Sequence, residues 1–363
     1  MEESQEKKFD WNTIWKWLKN PTVIAIILGL LFFVTLAMPL FEAHAVTVNV
    51  TASGVEIFET PDTDKYNVFA NLLFRGFGNW PILALYILGV IGLALSAFGL
   101  KWRKCLMVSA LLYMVTGVMF LISNEMFNLG EAWIDLASLG FADYVYDYIA
   151  VCDASLNAGS VIAAIMCFLT AIVAFKAASL TDEFTISDMT EMAVLSALGI
   201  ALQFIKIPVG ATGGSINLGL IPLFLLAMRQ GPVKGFIGAS LVYGLITCIT
   251  DGWGFFLYPL DYLVAYGGIC VLGFFQKYYF PENEKGWSWQ GFLFITIGVI
   301  IATLIRFIGS GTSSMVNYGY DFIGAVIYNG IYIPVTGAVS LAVLLALYVP
   351  LAMLNKAYPR RKR

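Results

Sequence analysis

Residues 289–308 read WQGFLFITIGVIIATLIRFI, an apolar run whose single charge, Arg306, stands near one end. The hydrocarbon core of a bilayer is about 30 Å thick, and roughly 20 apolar residues of helix cross it. A helix is the natural conformation for such a run, because in lipid every backbone polar group must be satisfied within its own segment. Working outward, nine further stretches meet or approach this length: about 22–41, 80–100, 105–123, 158–178, 189–207, 216–229, 232–250, 259–278 and 323–349. Composition agrees. Of 363 residues, 59% are hydrophobic and only 12% charged, where a soluble domain carries about 25% charged residues. The mean hydropathy is +0.80. The expected fold is an all-α integral membrane protein of about ten transmembrane helices embedded in a lipid bilayer.

Lys and Arg set the orientation, since they accumulate on the cytoplasmic side. With the N-terminus inside, 17 of the 21 fall in inside segments, leaving Lys65, Arg75, Lys206 and Arg306 outside. A multi-pass protein of the cell (plasma) membrane with both termini cytoplasmic is expected. The lysines, the first apolar run and Ala43-His44-Ala45 also resemble a signal peptide with an A-x-A site. The run exceeds the usual length of about 7–15 residues, so an uncleaved helix is expected.

The polar inside segment 176–190, KAASLTDEFTISDMT, divides the chain. Residues 1–180 form an expected four-span module with two outside segments, 42–79 and 124–157, and no assigned function. Residues 181–363 form an expected six-span module. Within the first outside segment, VTVNVTASGVEIF alternates apolar and polar residues around a Ser-Gly break, the pattern of a small hairpin.

Several function classes are excluded. A net charge of −3 and a pI near 5.3 leave no basic patch for nucleic acid. One histidine, His44, gives little scope for metal-dependent or histidine-based catalysis. The five cysteines form no CxxC pair and read as buried small hydrophobes. The chain has neither GxxxxGK[ST] nor GxGxxG, so ATP-driven work would require partners. No enzyme activity, cofactor or metal is expected.

Polar residues at membrane depth are costly and therefore point to function. The segment DGWGFFLYPLDYLVAY, Asp251–Tyr266, sets Asp261 among Trp253, Tyr258 and Tyr262. A carboxylate flanked by aromatic faces suits a flat organic cation. The same residues also read as an interfacial aromatic belt with a helix-capping aspartate. The glycine-rich stretch 207–215, ending in Gly214 and Ser215, reads as a loop closing over a ligand or as an ordinary turn. Arg306 has Asp251, Asp261 and Asp321 as possible ion-pair partners. Asn329, beside Tyr328, offers a donor and an acceptor inside the last span, for a ligand or for another helix. Ala193, Ala197 and Ala201 recur every fourth residue, placing small side chains on one helical face where a second helix can approach closely.

These pieces occur in a familiar order. Gly213-Gly214-Ser215-Ile216, Ile221-Pro222, Arg229-Gln230-Gly231, Tyr258-Pro259, Asp261-Tyr262, Arg306-Phe307 and Ile327-Tyr328-Asn329-Gly330 resemble the thiamine-specific S components of energy-coupling factor (ECF) transporters, the ThiT/YuaJ family. The resemblance covers about 187–349 and makes residues 181–363 an S-component-like module. It implies a substrate-binding subunit of a vitamin uptake transporter. Such a subunit takes thiamine at the outer face and delivers it inward with a coupling subunit and two ATPases.

By position, the resemblance implies that Asp261-Tyr262 holds the thiamine cation and that Tyr328-Asn329 lines the pocket. Gly213-Gly214-Ser215 would shut the site, and Ala193, Ala197 and Ala201 would dock the coupling subunit. Three departures stand out. Asp261 replaces the family's glutamate, Ser310 stands where the family has a pocket histidine, and 207–215 has no tryptophan. The expected ligand is therefore thiamine or a relative such as a thiamine phosphate or the pyrimidine precursor. A solitary secondary thiamine carrier, or a membrane sensor or assembly protein using the same fold, are the alternatives.

Overall fold

The structure, a computed structural model, describes residues 19–51, 54–66, 80–126, 149–180, 182–209, 214–281 and 287–358. The first helix, α1 (Pro21–Phe32), starts where Asn20 accepts a bond from the Thr22 N–H and Pro21 presets the first turn, the usual N-cap and N1 chemistry. It is followed by α2 (Trp80–Phe98), α3 (Lys104–Phe120) and α4 (Ala158–Ser179). Then come α5 (Ile186–Gln203), α6 (Leu220–Gln230), α7 (Pro232–Asp251), α8 (Phe255–Tyr279), α9 (Trp289–Tyr318) and α10 (Phe322–Ala357). By length and apolarity, α2, α4, α7, α8, α9 and α10 can each cross a membrane, which makes this a multi-pass membrane protein. Helices α1, α3 and α6 are apolar but shorter, and α5 carries Asp188 and Glu191 in its first turns. The expectation of ten crossings is thus met by length and composition at six.

The fold is mostly helical rather than all-α. The alternating segment expected as a hairpin is one: β1 (Phe41–Thr51) pairs antiparallel with β2 (Gly54–Tyr66), Val50 opposite Val55. A third strand that the sequence did not announce, β3 (Ile149–Leu156), lies on the other edge of β1. A two-stranded ribbon, β4 (Lys206–Val209) with β5 (Gly214–Asn217), follows α5. Residues 210–213, including Gly213, lie outside the described residues, as do the side chains of His44 and Cys152.

Two large hydrophobic clusters, and a small one around Ala25, Ala110 and Ala174, hold the helices together. One, within the second half, joins Leu223, Phe224, Tyr243, Tyr266, Leu272, Val299 and Tyr348. The other is shared: Phe32, Met107, Phe120 and Cys167 from the first half pack with Val233, Phe236, Leu260 and Val264. Helix α4 contributes a row of buried alanines, Ala163, Ala164, Ala171, Ala174, Ala177 and Ala178, whose small size lets neighbouring backbones approach, as membrane helix packing favours. Cys167, Cys248 and Cys270 are free and buried, and Cys105 is free and half-buried.

At one end of the bundle a polar cluster pins α5 to the α6–α7 turn. Thr185 and Asp188 form a reciprocal capping box at the start of α5. Lys234 donates to the Asp188 carboxylate at 2.7 Å and to the Glu183 carbonyl at 2.7 Å. Arg229 pairs with Glu191 and donates to Asn355 Oδ1 at 2.7 Å, tying in the end of α10. Between α6 and α7, Gly231 adopts φ +93°, a region that favours glycine. The Arg229-Gln230-Gly231 motif therefore has a structural use here.

Candidate ligand-binding site

At the opposite end from that cluster, five elements converge on one cavity. The end of α5 supplies Gln203, and the β4–β5 ribbon supplies Lys206, Gly214, Ser215 and Asn217. The α7–α8 corner supplies Asp251, Trp253, Leu257, Asp261, Tyr262 and Tyr266. Helix α9 contributes Arg306, Ser310, Ser314 and Tyr318, and α10 contributes Tyr328 and Tyr332. The cavity is about 70 Å³ and its walls are mainly polar. Small-molecule clefts begin near 300 Å³, so a vitamin-sized occupant requires part of the wall to move.

The α7–α8 corner turns at Gly252 and Gly254, at φ +74° and +113°, and π-helical turns lie on either side of it. Residues Ile237–Tyr243 and Tyr258–Val264 are π-helical turns. Such turns occur mostly at functional sites, where they re-aim side chains. The second turn carries both Asp261 and Tyr262. Ser313 on α9 donates to Asp261 Oδ2 at 2.5 Å, and Asn317 in turn donates to Ser313 Oγ at 2.9 Å. Asp251 ends α7. It accepts from the Tyr262 hydroxyl at 3.0 Å and from Gln203 Nε2 at 3.4 Å, and it pairs with Lys206 Nζ at 3.7 Å.

Five tyrosines line the wall as well. Tyr262 and Tyr266 meet edge to face at 6.0 Å, Tyr328 and Tyr332 at 5.5 Å, and Tyr320 stacks on Tyr328 at 5.6 Å. The ribbon is latched to α10. Gly214 N–H donates to the Tyr328 hydroxyl at 2.8 Å, and a Cβ at Gly214 would stand 2.8 Å from that oxygen and 2.9 Å from the Tyr332 ring. Close approach at this point thus requires glycine.

Of the residues singled out in the sequence, Asp261, Tyr262, Trp253, Tyr328, Gly214, Ser215 and Ser310 line the cavity together. Two do not. The Tyr258 hydroxyl donates to the Ser240 carbonyl on α7 at 3.0 Å, and its ring stacks on Phe255 at 5.3 Å, away from the cavity. Asn329 is fully buried behind the wall. Its amide donates to Ser314 Oγ at 2.8 Å and to the Ala325 carbonyl at 2.9 Å, and its oxygen accepts from the Tyr332 hydroxyl at 2.9 Å. Asn329 thus fixes two lining side chains, Ser314 across the α9–α10 contact and Tyr332 within α10.

Arg306 lines the cavity, yet none of its three expected carboxylate partners pairs with it. Asp251 takes Lys206, Asp261 takes Ser313, and Asp321 caps α10 through Gly324 N–H at 3.2 Å. Gln203, Lys206, Asn217, Ser314 and Tyr318 were not foreseen as lining residues. The one available signal was charge, since Lys206 and Arg306 are two of only four cations assigned to the outer side. On α5, Ala193, Ala197 and Ala201 are exposed beside Val194 and Leu198. Among the described residues no group of three His, Cys, Asp or Glu side chains could hold a metal ion.

Fold and cavity together define a helical multi-pass membrane protein with a charged cavity, partly walled by tyrosines, at one end of its spans. Comparison with known proteins narrows the class. Residues 189–356 match the family model described as Thiamine transporter protein (Thia_YuaJ). The Thiamine transporter ThiT of Lacticaseibacillus paracasei is 29% identical over 155 residues, covering 40% of this chain and 69% of that protein. ThiT of Bacillus subtilis is 28% identical over 140 residues, covering 36% and 70%. The structure of ThiT from Listeria monocytogenes matches 45% of this chain and 93% of its own at 21% identity, with a TM-score of 0.40. Residues 189–356 are thus similar to the Thia_YuaJ thiamine transporters, which are transport proteins rather than enzymes.

Proposed function

We propose that this chain is the substrate-binding subunit of an ECF-type vitamin uptake transporter, taking thiamine or a close relative at the outer face of the cell membrane. The observation that carries the reading is Asp261 in a tyrosine-walled cavity. The carboxylate, already held by Ser313, faces a space whose walls offer ring faces and hydroxyls. A flat cation is stabilised there by charge on one side and stacking on the other. Tyr262, Tyr266, Tyr328 and Trp253 supply the faces, while Ser215, Ser310 and Asn217 supply directional hydrogen bonds. Asn329 acts indirectly, by orienting Tyr332 and Ser314.

The lysine- and arginine-rich end of the bundle is assigned to the cytoplasm by the positive-inside rule, with both termini there, which puts the cavity outside. Entry proceeds by release of the Gly214–Tyr328 latch, and closure by its return. The exposed Ala193/Ala197/Ala201 stripe of α5 is the docking face for the coupling subunit, through which two partner ATPases supply energy. Residues 1–180 form a separate module, with α1–α4 as its four spans, that braces α7 and α8 through the shared core.

Calorimetric titration of the detergent-purified chain with thiamine tests the reading. Saturable binding at submicromolar concentration is expected. Absence of heat with thiamine, its phosphates and the pyrimidine precursor would overturn it.

A further inference from the structure

We infer that Arg306 is an anion-recognising residue of this cavity, so that the ligand carries a phosphate ester as well as the cation that Asp261 faces. The inference rests on the reading that the cavity takes thiamine or a relative, and it deepens that reading by naming the ligand's second charge.

Arg306 is 8% exposed and lies in a span otherwise free of charge. Its Nη1 is buried and finds no acceptor among the described residues. The guanidinium instead stands over the face of Tyr266, its Cζ 5.4 Å from the ring centroid. The carboxylates around it are committed elsewhere. Asp251 answers to Lys206, Gln203 and Tyr262, and Asp261 is held by the Ser313–Asn317 relay. Asp321 caps its own helix.

The cavity thus presents two poles, a carboxylate and a guanidinium that feel each other's charge but form no ion pair with each other. A guanidinium at membrane depth with open donors is costly unless something pairs with it. Its planar fork of N–H groups matches phosphate oxygens, two at a time. A purely cationic ligand would be attracted by Asp261 and repelled by Arg306. A ligand with a cationic ring and an anionic ester satisfies both. Thiamine monophosphate has that charge pattern, and thiamine does not.

The test compares thiamine with thiamine monophosphate by calorimetry, on the full chain in detergent and on Arg306→Gln and Arg306→Lys. The monophosphate is expected to bind the unmodified chain at least about tenfold more tightly, the size of one charge-assisted hydrogen bond. Arg306→Gln is expected to abolish that preference and Arg306→Lys to keep part of it. Equal binding of the two ligands by the unmodified chain, or tighter binding of thiamine, would overturn the inference and leave Arg306 as an offset to the Asp261 charge. That comparison needs no variant, so a misfolded Arg306→Gln does not shelter the idea. A preference that survives in a folded Arg306→Gln would overturn it equally. Failure of both ligands to bind would remove the thiamine reading itself, and the anion site with it.

Discussion

Replacing Asp261 by Asn removes one negative charge and almost nothing else. The two side chains have nearly the same shape, and Ser313 can still donate to the remaining amide oxygen, as it now does to Oδ2 at 2.5 Å. What is lost is attraction to the ligand's cation. Two unit charges about 5 Å apart, at the effective dielectric of about 20 that suits partly buried pairs, attract by about 3 kcal/mol. At about 1.4 kcal/mol per tenfold, the dissociation constant for thiamine should rise roughly a hundredfold. Calorimetry on the purified variant measures it, and the neutral pyrimidine precursor supplies the internal control, because its affinity has no cation term to lose. A variant that binds thiamine within about threefold of the unmodified chain would refute the assignment of Asp261 to the cation. Equal losses for thiamine and the pyrimidine precursor would refute the electrostatic reasoning and indicate a change in cavity shape instead.

Three further outcomes are expected. Lys234→Met leaves the buried Asp188 carboxylate without its 2.7 Å ammonium partner and should destabilise the chain by about 3 kcal/mol in reversible unfolding from mixed micelles. The double variant Lys234→Met/Asp188→Leu should recover most of that loss, and a purely additive double variant would show that the pair is not coupled. Gly214→Ala drives a Cβ to 2.8 Å from the Tyr328 hydroxyl and should loosen the latch, so stopped-flow measurement should show ligand dissociation accelerated several-fold with little change in thermal stability. Ala197→Trp, on the exposed face of α5, should leave thiamine binding intact while preventing co-purification with the coupling subunit; undiminished co-purification would move the docking face elsewhere.

Much of the architecture was legible because a bilayer punishes the wrong residue at the wrong depth. Each of the ten apolar stretches contains a helix, six of them long and apolar enough to cross a membrane, while 22–41, 189–207 and 216–229 also run into strands; helix dominates because an apolar run in lipid must satisfy its backbone internally. The β1–β2 hairpin was visible in its alternation and its Ser-Gly break. The third strand, β3, was not, because strand partners far apart in the chain leave no local mark. Seven of the nine residues assigned to the ligand do converge on the cavity. The two that do not line it are held elsewhere for different reasons. Tyr258 and Tyr262 stand four apart and would share a face of an α-helix, but the π-helical turn over Tyr258–Val264 changes that phase. Tyr258 is thereby carried to the Ser240 carbonyl and Tyr262 to Asp251. Asn329 had both a ligand and a neighbouring helix open to it, and its amide donates to Ser314 on the neighbouring helix and to the Ala325 carbonyl on its own.

What the sequence by itself determined is the list of parts and their order. It contains apolar segments long enough to span, basic residues gathered at one end, a carboxylate among tyrosines, and a lone arginine in an otherwise uncharged helix. These are properties of single segments, set by the cost of exposing backbone and charge to hydrocarbon. Only the tertiary structure decided which charge meets which. The sequence offered Arg306 three carboxylate partners, Asp251, Asp261 and Asp321, yet Lys206 takes Asp251, Ser313 takes Asp261, and the guanidinium is left over the Tyr266 ring. Such pairings depend on a few ångströms and on the phase of each turn, because charge-assisted hydrogen bonds exist only at close range. Spacing along a chain does not carry that information.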